Sequence, residues 1–403
     1  MILRPTYINK IVPFIDKPQI KVITGIRRSG KSVVLQLIKE ELIKRKVTEQ
    51  QIININFESF NYSELTQARN LYEYVKNKII DKQKYYLLLD EIQEVAMWEK
   101  AINSFMVDFN VDIYITGSNS HLLSSDLATY LAGRYVEIPV YTLSYLEFLE
   151  FRNHYFNDND SANLFVHYLR FGGFPVIHTN NYTVENAYKV VYDIYSSIIL
   201  RDTIQRYKIR EVELLERVIK YAFENIGKTF SGKNITDYFK SQHRKVDINT
   251  IYNYLKALEG AFILFRVSRY DIKGKEILKT QEKFYISDVS IIYALMGYRD
   301  RMISEILENI VFLELKRRGY NIYVGKLDNV EIDFVAEKQN ERIYVQVAYK
   351  LESEQTIKRE FGNLLAINDQ YPKYVVTMDE FWKDSIDGVK HLYITDFLVS
   401  NSL

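Results

Sequence analysis

Eight consecutive residues limit what this chain can fold into more than any other feature: Gly25-Ile26-Arg27-Arg28-Ser29-Gly30-Lys31-Ser32, two glycines with four residues between them and then Lys-Ser. Their flanks decide how they are read. An aliphatic run ending in Val22-Ile23 precedes them, and a stretch of helical apolar spacing from Val33 to Lys39 follows. A glycine-rich loop between a strand and a helix turns its backbone N–H groups inward and adds the positive end of the helix, which makes it a cradle for phosphate. All eight residues are therefore candidate nucleotide-binding positions. Lys31 is expected to supply a point charge to the β- and γ-phosphates, and the Ser32 hydroxyl to ligate Mg²⁺.

A second feature completes the expectation. Tyr85-Tyr86-Leu87-Leu88-Leu89-Asp90-Glu91 is an apolar strand ending in two carboxylates, an arrangement that carries acid to the C-terminal edge of a sheet, where the loop's phosphates lie. Asp90 is expected to hold Mg²⁺ through water, and Glu91 to polarise the attacking water. The alternatives are a cap after a buried strand for Asp90 and an exposed carboxylate for Glu91. Further on, Ile113-Tyr114-Ile115-Thr116 runs into Gly117-Ser118-Asn119. Ser118 and Asn119 either sense the γ-phosphate or make an ordinary turn. Arg134, after Gly133, offers a guanidinium to transition-state charge, in cis or from a neighbouring subunit of an oligomer, or else makes a structural ion pair. Arg27 and Arg28 read more readily as solvated or paired than as catalytic. No Asn-Lys-x-Asp guanine-reading motif occurs in the sequence, which points to ATP.

Around these motifs, β-branched runs at residues 20–24, 52–56, 85–89, 112–116 and 135–140 alternate with helical stretches starting near Lys31, Ser63, Val95 and His121. Such alternation predicts an α/β fold with a parallel sheet. The stretch between Lys31 and Asp90 leaves room for a strand and a helix, so the acidic strand need not neighbour the loop strand. This favours the P-loop NTPase branch with an inserted strand between the P-loop and acidic strands.

With 403 residues the chain is long enough for two or three domains. The expected boundaries are a P-loop ATPase domain at 1–165, a helical connector and winged helix at 166–295, and a small α/β domain at 296–403. A helical connector over 186–224, a helix at 233–241, a second at 247–258 and strand-like runs at 262–270 and 275–286 supply the parts of the middle region. A helix at 302–318, strands at 321–325, 331–336 and 342–349, a helix at 354–368 and a strand at 374–378 are expected in the last. The formal net charge of +1 excludes a global field that would drive the chain onto nucleic acid. The absence of cysteine excludes disulfides and thiolate metal sites and fits a reducing compartment. No apolar run approaches the roughly 20 residues needed to span a bilayer, so a cytoplasmic location and no membrane partner are expected.

On these motifs the chain resembles the predicted AAA+ superfamily ATPases of bacteria and archaea that carry a C-terminal domain of unknown function. The shared stretches are Thr24 to Ser32, Leu89-Asp90-Glu91-Ile92-Gln93, Thr116 to Asn119, Leu131-Ala132-Gly133-Arg134, Gly172-Gly173-Phe174-Pro175, Thr250 to Leu255 and Glu331-Ile332-Asp333-Phe334-Val335. The resemblance covers nearly the whole chain and implies an AAA+ core, a winged helix and a restriction-endonuclease-like end.

In such nucleases a helix Glu, a hairpin Asp and an acid-x-Lys strand hold a metal and charge a water. Here Glu305 or Glu308, Asp333 and Gln346-Val347-Ala348 occupy the matching places. Gln346 is a neutral amide, a poorer ligand for Mg²⁺ than a carboxylate, and Ala348 lacks the ammonium. Lys350, two residues on, is the expected substitute if the strand continues that far. Nuclease chemistry is thus expected to be degenerate. In the winged-helix stretch Arg244, Lys245, Lys256, Arg266, Arg269, Lys273 and Lys275 are offset by Asp247, Glu259, Asp271 and Glu276, so DNA and protein both stand as partners. The expected function is an ATP-hydrolysing switch. Its alternatives are an ATP-binding regulatory or defence scaffold with little turnover and an ATP-gated metal-dependent nuclease.

Overall fold

The aliphatic runs become strands because, in a parallel sheet, helices cover both faces and no polar alternation is needed. In the computed structural model, which describes residues 2–120, 133–158, 161–297, 302–380, 382 and 385–400, β1 (Ile20–Thr24), β2 (Ile52–Asn56), β3 (Tyr85–Asp90), β4 (Val111–Gly117) and β5 (Tyr135–Pro139) form one sheet. All its pairings are parallel, in the order β2-β3-β4-β1-β5. On one face, α1 (Pro5–Ile11) and α2 (Lys31–Lys44) bury Tyr7, Ile11, Val34, Leu35, Ile38 and Leu42 against Ile23, Leu88 and Tyr114. On the other, α3 (Ala68–Lys78) and α4 (Trp98–Asp108) bury Leu71, Val75, Ile102 and Phe105 against Val22, Leu87 and Ile113. The inserted strand is β4, which separates β1 from β3 in space although it follows both in sequence. The strand between them in sequence, β2, takes the outer edge. The helix expected near His121 lies outside the described residues, as do Leu131 and Ala132.

The chain divides into two units, Met1–Val140 with Gly260–Phe262, and Tyr141–Glu259 with Ile263–Leu403. This division falls at Val140, earlier than the boundary expected at 165. The helix Tyr145–Phe156 explains the difference, because its Tyr145 and Phe148 pack on Phe165, Tyr168 and His178 of the second unit. Nearby, the Gly172-Gly173 turn closes on a buried carboxylate. Gly173 N–H donates to Asp288 Oδ2 at 2.8 Å, and a Cβ on Gly172, which has φ +60°, would lie 1.8 Å from Asp288 Oδ1.

The connector is two helices, Val184–Ser197 and Val212–Glu224, joined through a π-helical turn at Ile198–Gln205. Then come β6 (Thr229–Phe230), α5 (Gly232–Ser241), α6 (Ile248–Gly260), β7 (Leu264–Asp271) and β8 (Glu276–Ile286). The C-terminal part adds α7 (Ile303–Arg317), β9 (Asn321–Leu327), β10 (Val330–Lys338), β11 (Glu341–Val347), α8 (Glu354–Leu365), β12 (Lys373–Thr377), β13 (Ser385–Ile386) and β14 (Val389–Tyr393). One nine-stranded sheet, β13-β14-β12-β11-β10-β9-β7-β8-β6, spans the expected boundary at 295 through parallel pairing of β7 with β9. No helix among the described residues is long and apolar enough to cross a membrane.

Candidate functional site

The loop between β1 and α2 takes its shape from glycine. Gly25 has φ +145° and Gly30 φ +99°, and a Cβ on Gly25 would lie 2.0 Å from the Val140 carbonyl oxygen. No side chain fits there, so the backbone turns tightly and α2 starts at Lys31 with its N–H groups facing the loop. Lys31 is only 4% exposed, and its Nζ lies 3.4 Å from the Ile26 carbonyl oxygen and 3.4 Å from Glu91 Oε1. Ser29 Oγ is buried with no hydrogen-bond partner among the described residues. An orphan hydroxyl, a buried ammonium and a tight backbone turn fit a phosphate group.

Register brings the acids to the same edge. Thr24 aligns with Gly117 and Leu89 with Ile115, so Asp90 and Glu91 leave β3 beside the end of β4. There Thr116 Oγ1 donates to Asp90 Oδ1 at 2.5 Å and accepts from Glu91 N–H at 2.8 Å. Burial pushes Asp90 above the usual carboxylate range, while hydrogen bonds from Thr116 and Ser32 pull it back. The Ser32–Asp90 contact brings together the two residues expected to share Mg²⁺. Glu91 has φ +57° and is nearly buried; burial pushes its carboxyl up, but Lys31, a hydrogen bond from Gln93 and Arg27 together hold it below the usual range. It is therefore an anion at neutral pH, facing the cradle.

Other expected residues divide. Ser118 and Asn119 are buried directly after β4, whose last residue, Gly117, aligns with Thr24, the residue before Gly25. Arg27 pairs with Glu58, and Arg28 is exposed. Arg134 is not brought to the loop. Its carbonyl accepts from Ile20 N–H, the first residue of β1, and the loop leaves the last. The separation of about five residues is roughly 16 Å along a strand, which corrects the expectation of a role in cis.

Two residues of this site had no role assigned from the sequence. Thr116 stood there only as the polar end of an aliphatic run and the first residue of the shared stretch Thr116 to Asn119. Arg4 was invisible, yet it is 1% exposed and its Nη1 donates to the Ser29 carbonyl at 2.8 Å while its guanidinium lies over the Tyr7 ring. A signal for it was an arginine next to Pro5 at the start of an apolar helix.

Comparison with known proteins gives the family. A family model described as an AAA domain matches residues 17–149, and one described as a domain of unknown function, DUF8612, matches residues 162–301. An uncharacterized protein of Haemophilus influenzae is 39% identical over 400 residues, covering 99% of each chain. The chain belongs to this family of AAA-domain proteins. Another uncharacterized relative, from Methanocaldococcus jannaschii, is 32% identical and covers 93% of this chain and 86% of that one. Among solved structures, a Walker-type ATPase of Pyrococcus abyssi is similar over 73% of this chain and 96% of that one, with TM-score 0.49 and 15% identity.

The AAA-domain protein has a second cluster of ionisable groups, in its second unit. Glu308, Asp333 and Gln346 line a cleft of about 500 Å³ together with Lys283, Glu331 and Glu360. Lys283, from β8, is buried at its centre. Burial, and after it Glu308, pushes Asp333 up to about 8, against the pull of Lys283. Glu305 also lines the cleft and pairs with Lys228 at 3.4 Å. Lys350 is absent from the lining. Since β11 ends at Val347, the two-residue strand spacing does not carry it inward, and it pairs instead with Glu352 at 3.5 Å. Lys283 is the ammonium the sequence reading missed; its signal was a lone cation leading the buried run Phe284-Tyr285-Ile286.

Proposed function

We propose that this chain binds ATP with Mg²⁺ and hydrolyses it, and that its second unit reads the nucleotide state by engaging a macromolecular partner. The carrying observation is the contact set Ser32–Asp90–Thr116–Glu91 beside a glycine loop whose lysine already faces Glu91. Ser32 and Asp90 would hold Mg²⁺, which supplies charge to offset that developing on the transferred phosphoryl group. Lys31 binds the phosphates and, in doing so, is drawn from Glu91. Glu91, kept deprotonated by its surroundings, is then free to orient and accept a proton from a water. Thr116 fixes both acids at once, so the metal-holding and base positions move together. Ser118 and Asn119 supply the polar contacts at the same edge. Arg134, exposed at the far end of the sheet, is retained only as a contributor from a neighbouring subunit.

For the partner, the charge arrangement favours protein over DNA. Arg266 pairs with Glu259 at 2.5 Å and with Glu282, Arg244 with Glu211 and Glu213, and Lys273 with Asp328. Cations already neutralised inside the unit are poor phosphate contacts, because they release few counterions on binding. The helix-turn-helix-ribbon series α5, α6, β7, β8 serves in this reading as a winged-helix docking unit.

The test is turnover of radiolabelled ATP with Mg²⁺ by wild type, Lys31→Ala and Glu91→Gln. Lys31→Ala is expected to lose nucleotide binding, and Glu91→Gln to bind and retain ATP; wild-type turnover in either would sink the assignment. Binding of duplex DNA that weakens steeply with salt would reverse the choice of partner.

A further inference from the structure

The cleft of the second unit is arranged around a cation, and that cation belongs to the chain. Lys283 Nζ lies 2.8 Å from Glu308 Oε1, 2.8 Å from Glu331 Oε1 and 3.6 Å from Asp333 Oδ1. It is 2% exposed. Other donors add to these contacts: the Tyr285 hydroxyl donates to the same Glu308 Oε1 at 2.5 Å, and Val347 N–H donates to Asp333 Oδ2 at 2.9 Å. Gln346 turns its amide oxygen to Asp333 N–H at 3.3 Å. Glu360 completes the lining. It is 3% exposed, Arg359 binds one of its oxygens, and the other is buried with no partner among the described residues. With the Glu305–Lys228 pair, five carboxyl groups thus line the cleft with three cations, and one acceptor is left orphaned.

A restriction-nuclease-like fold implies a divalent metal here, and the residues do not fit one. Oxygen ligands around a hard cation must converge on a single point. In this cleft they converge on an ammonium nitrogen, and a metal at that point would meet a like charge at contact distance. With Lys283 in place, no group of three or more His, Asp or Glu side chains among the described residues is disposed to hold a metal ion. Nor does Lys283 resemble a lysine poised over a free metal, since its ammonium is already paired with the carboxylates a metal would need.

We infer that the Lys283 ammonium is the built-in cation of this cleft, standing where a divalent metal would bind, so that the second unit is a metal-free relative of a nuclease site and removal of Lys283 opens a divalent-cation site on Glu308, Glu331 and Asp333. This inference is independent of the ATPase reading, which concerns other residues.

Mn²⁺ binding to the nucleotide-free full chain, followed by electron paramagnetic resonance, tests it. Wild type is expected to show no Mn²⁺ site that Asp333→Asn removes. Lys283→Ala is expected to gain one, roughly tenfold tighter or more than any wild-type binding because hard-cation affinity follows carboxylate availability. Adding Asp333→Asn to that variant should abolish the gain, and Mn²⁺ should raise the melting temperature of Lys283→Ala but not of wild type. Lys283→Met keeps the volume of the stem and repeats the measurement if the alanine variant folds poorly. The inference is overturned if wild type binds Mn²⁺ at a site lost in Asp333→Asn, or if folded Lys283 variants gain no site. Should neither variant fold, the wild-type and Asp333→Asn titrations decide alone, with an Asp333-dependent site overturning the inference and its absence upholding it.

Discussion

The two units each bury a lysine among carboxyl groups, and they use it in opposite ways. In the first, Lys31 has a single carboxylate at 3.4 Å, Asp90 is held by hydroxyls, and the adjoining loop keeps an orphan Ser29 hydroxyl. In the second, Lys283 is within 3.6 Å of three carboxyl groups, two of them at 2.8 Å. Residue types are nearly the same in both. A loosely paired lysine beside a glycine cradle leaves its charge for a ligand, whereas a fully engaged one already has its ligands. What separates a binding site from a closed charge cluster is thus how many partners the cation has, and how much backbone is turned toward the open side.

The sharpest way to break this comparison is to remove each lysine. Lys31→Ala should lower ATP turnover by roughly three orders of magnitude, as loss of a preorganised charge at a reacting phosphate does. A radiolabelled hydrolysis assay that found near-normal rates would mean that Lys31, too, is a structural cation. Glu91→Gln comes next, with an expected fall in turnover of roughly a hundredfold and ATP still bound after gel filtration. Thr116→Val should cost roughly tenfold, in the range of residues that orient metal-holding groups, and Thr116→Ser should restore most of it. A Thr116→Val enzyme with unchanged Mg²⁺ dependence would show that Asp90 is not the metal-holding group.

Acid and base separate the two sites as well. The Glu91 carboxyl is held below its ordinary value of about 4.3, so its stabilising contribution is present above that value and is lost as pH falls through the depressed one. The Asp333 carboxyl is raised to about 8, so between about 3.9 and that value the folded chain keeps a proton that the unfolded chain has released. Its contribution is therefore full at low pH and declines as pH climbs toward 8. Urea midpoints measured from pH 4 to 8 should show this decline, and Asp333→Asn should flatten it. An unchanged slope in the variant would place the titration elsewhere in the cleft.

Much of the first unit was legible because its information is local. Hydrophobic runs read one at a time gave residues 20–24 and 52–56 as strands with the bounds later observed for β1 and β2, and the glycine loop carries its own flanks. Placement across strands was another matter. An inserted strand between the loop strand and the acidic strand was expected, but that β4 is the one inserted follows from register, and no single segment encodes it. The same limit hid Arg4, whose partner Ser29 is 25 residues away, and Lys283, whose partners Glu308, Glu331 and Asp333 come from α7 and β10. Arg134 was misplaced for another reason: in a parallel sheet a residue just before a strand meets the edge opposite the one the loop leaves from, and the glycine-arginine pair was read without its strand.

The smallest expected effect bears on the comparison as much as the largest. Lys350 stood as the substitute for the missing strand ammonium, on the argument that two residues along a strand face one side. The strand stops at Val347, and Lys350 forms an exposed pair with Glu352. Exposed ion pairs contribute little, because water screens them and ordering two long side chains costs entropy. Lys350→Ala should therefore change stability by less than about 0.5 kcal/mol and leave Mn²⁺ binding as it is in wild type, measured by urea denaturation and the same resonance titration. A change in Mn²⁺ binding would put a second ammonium within reach of the cleft, and Lys283 would then no longer be the cation that closes it.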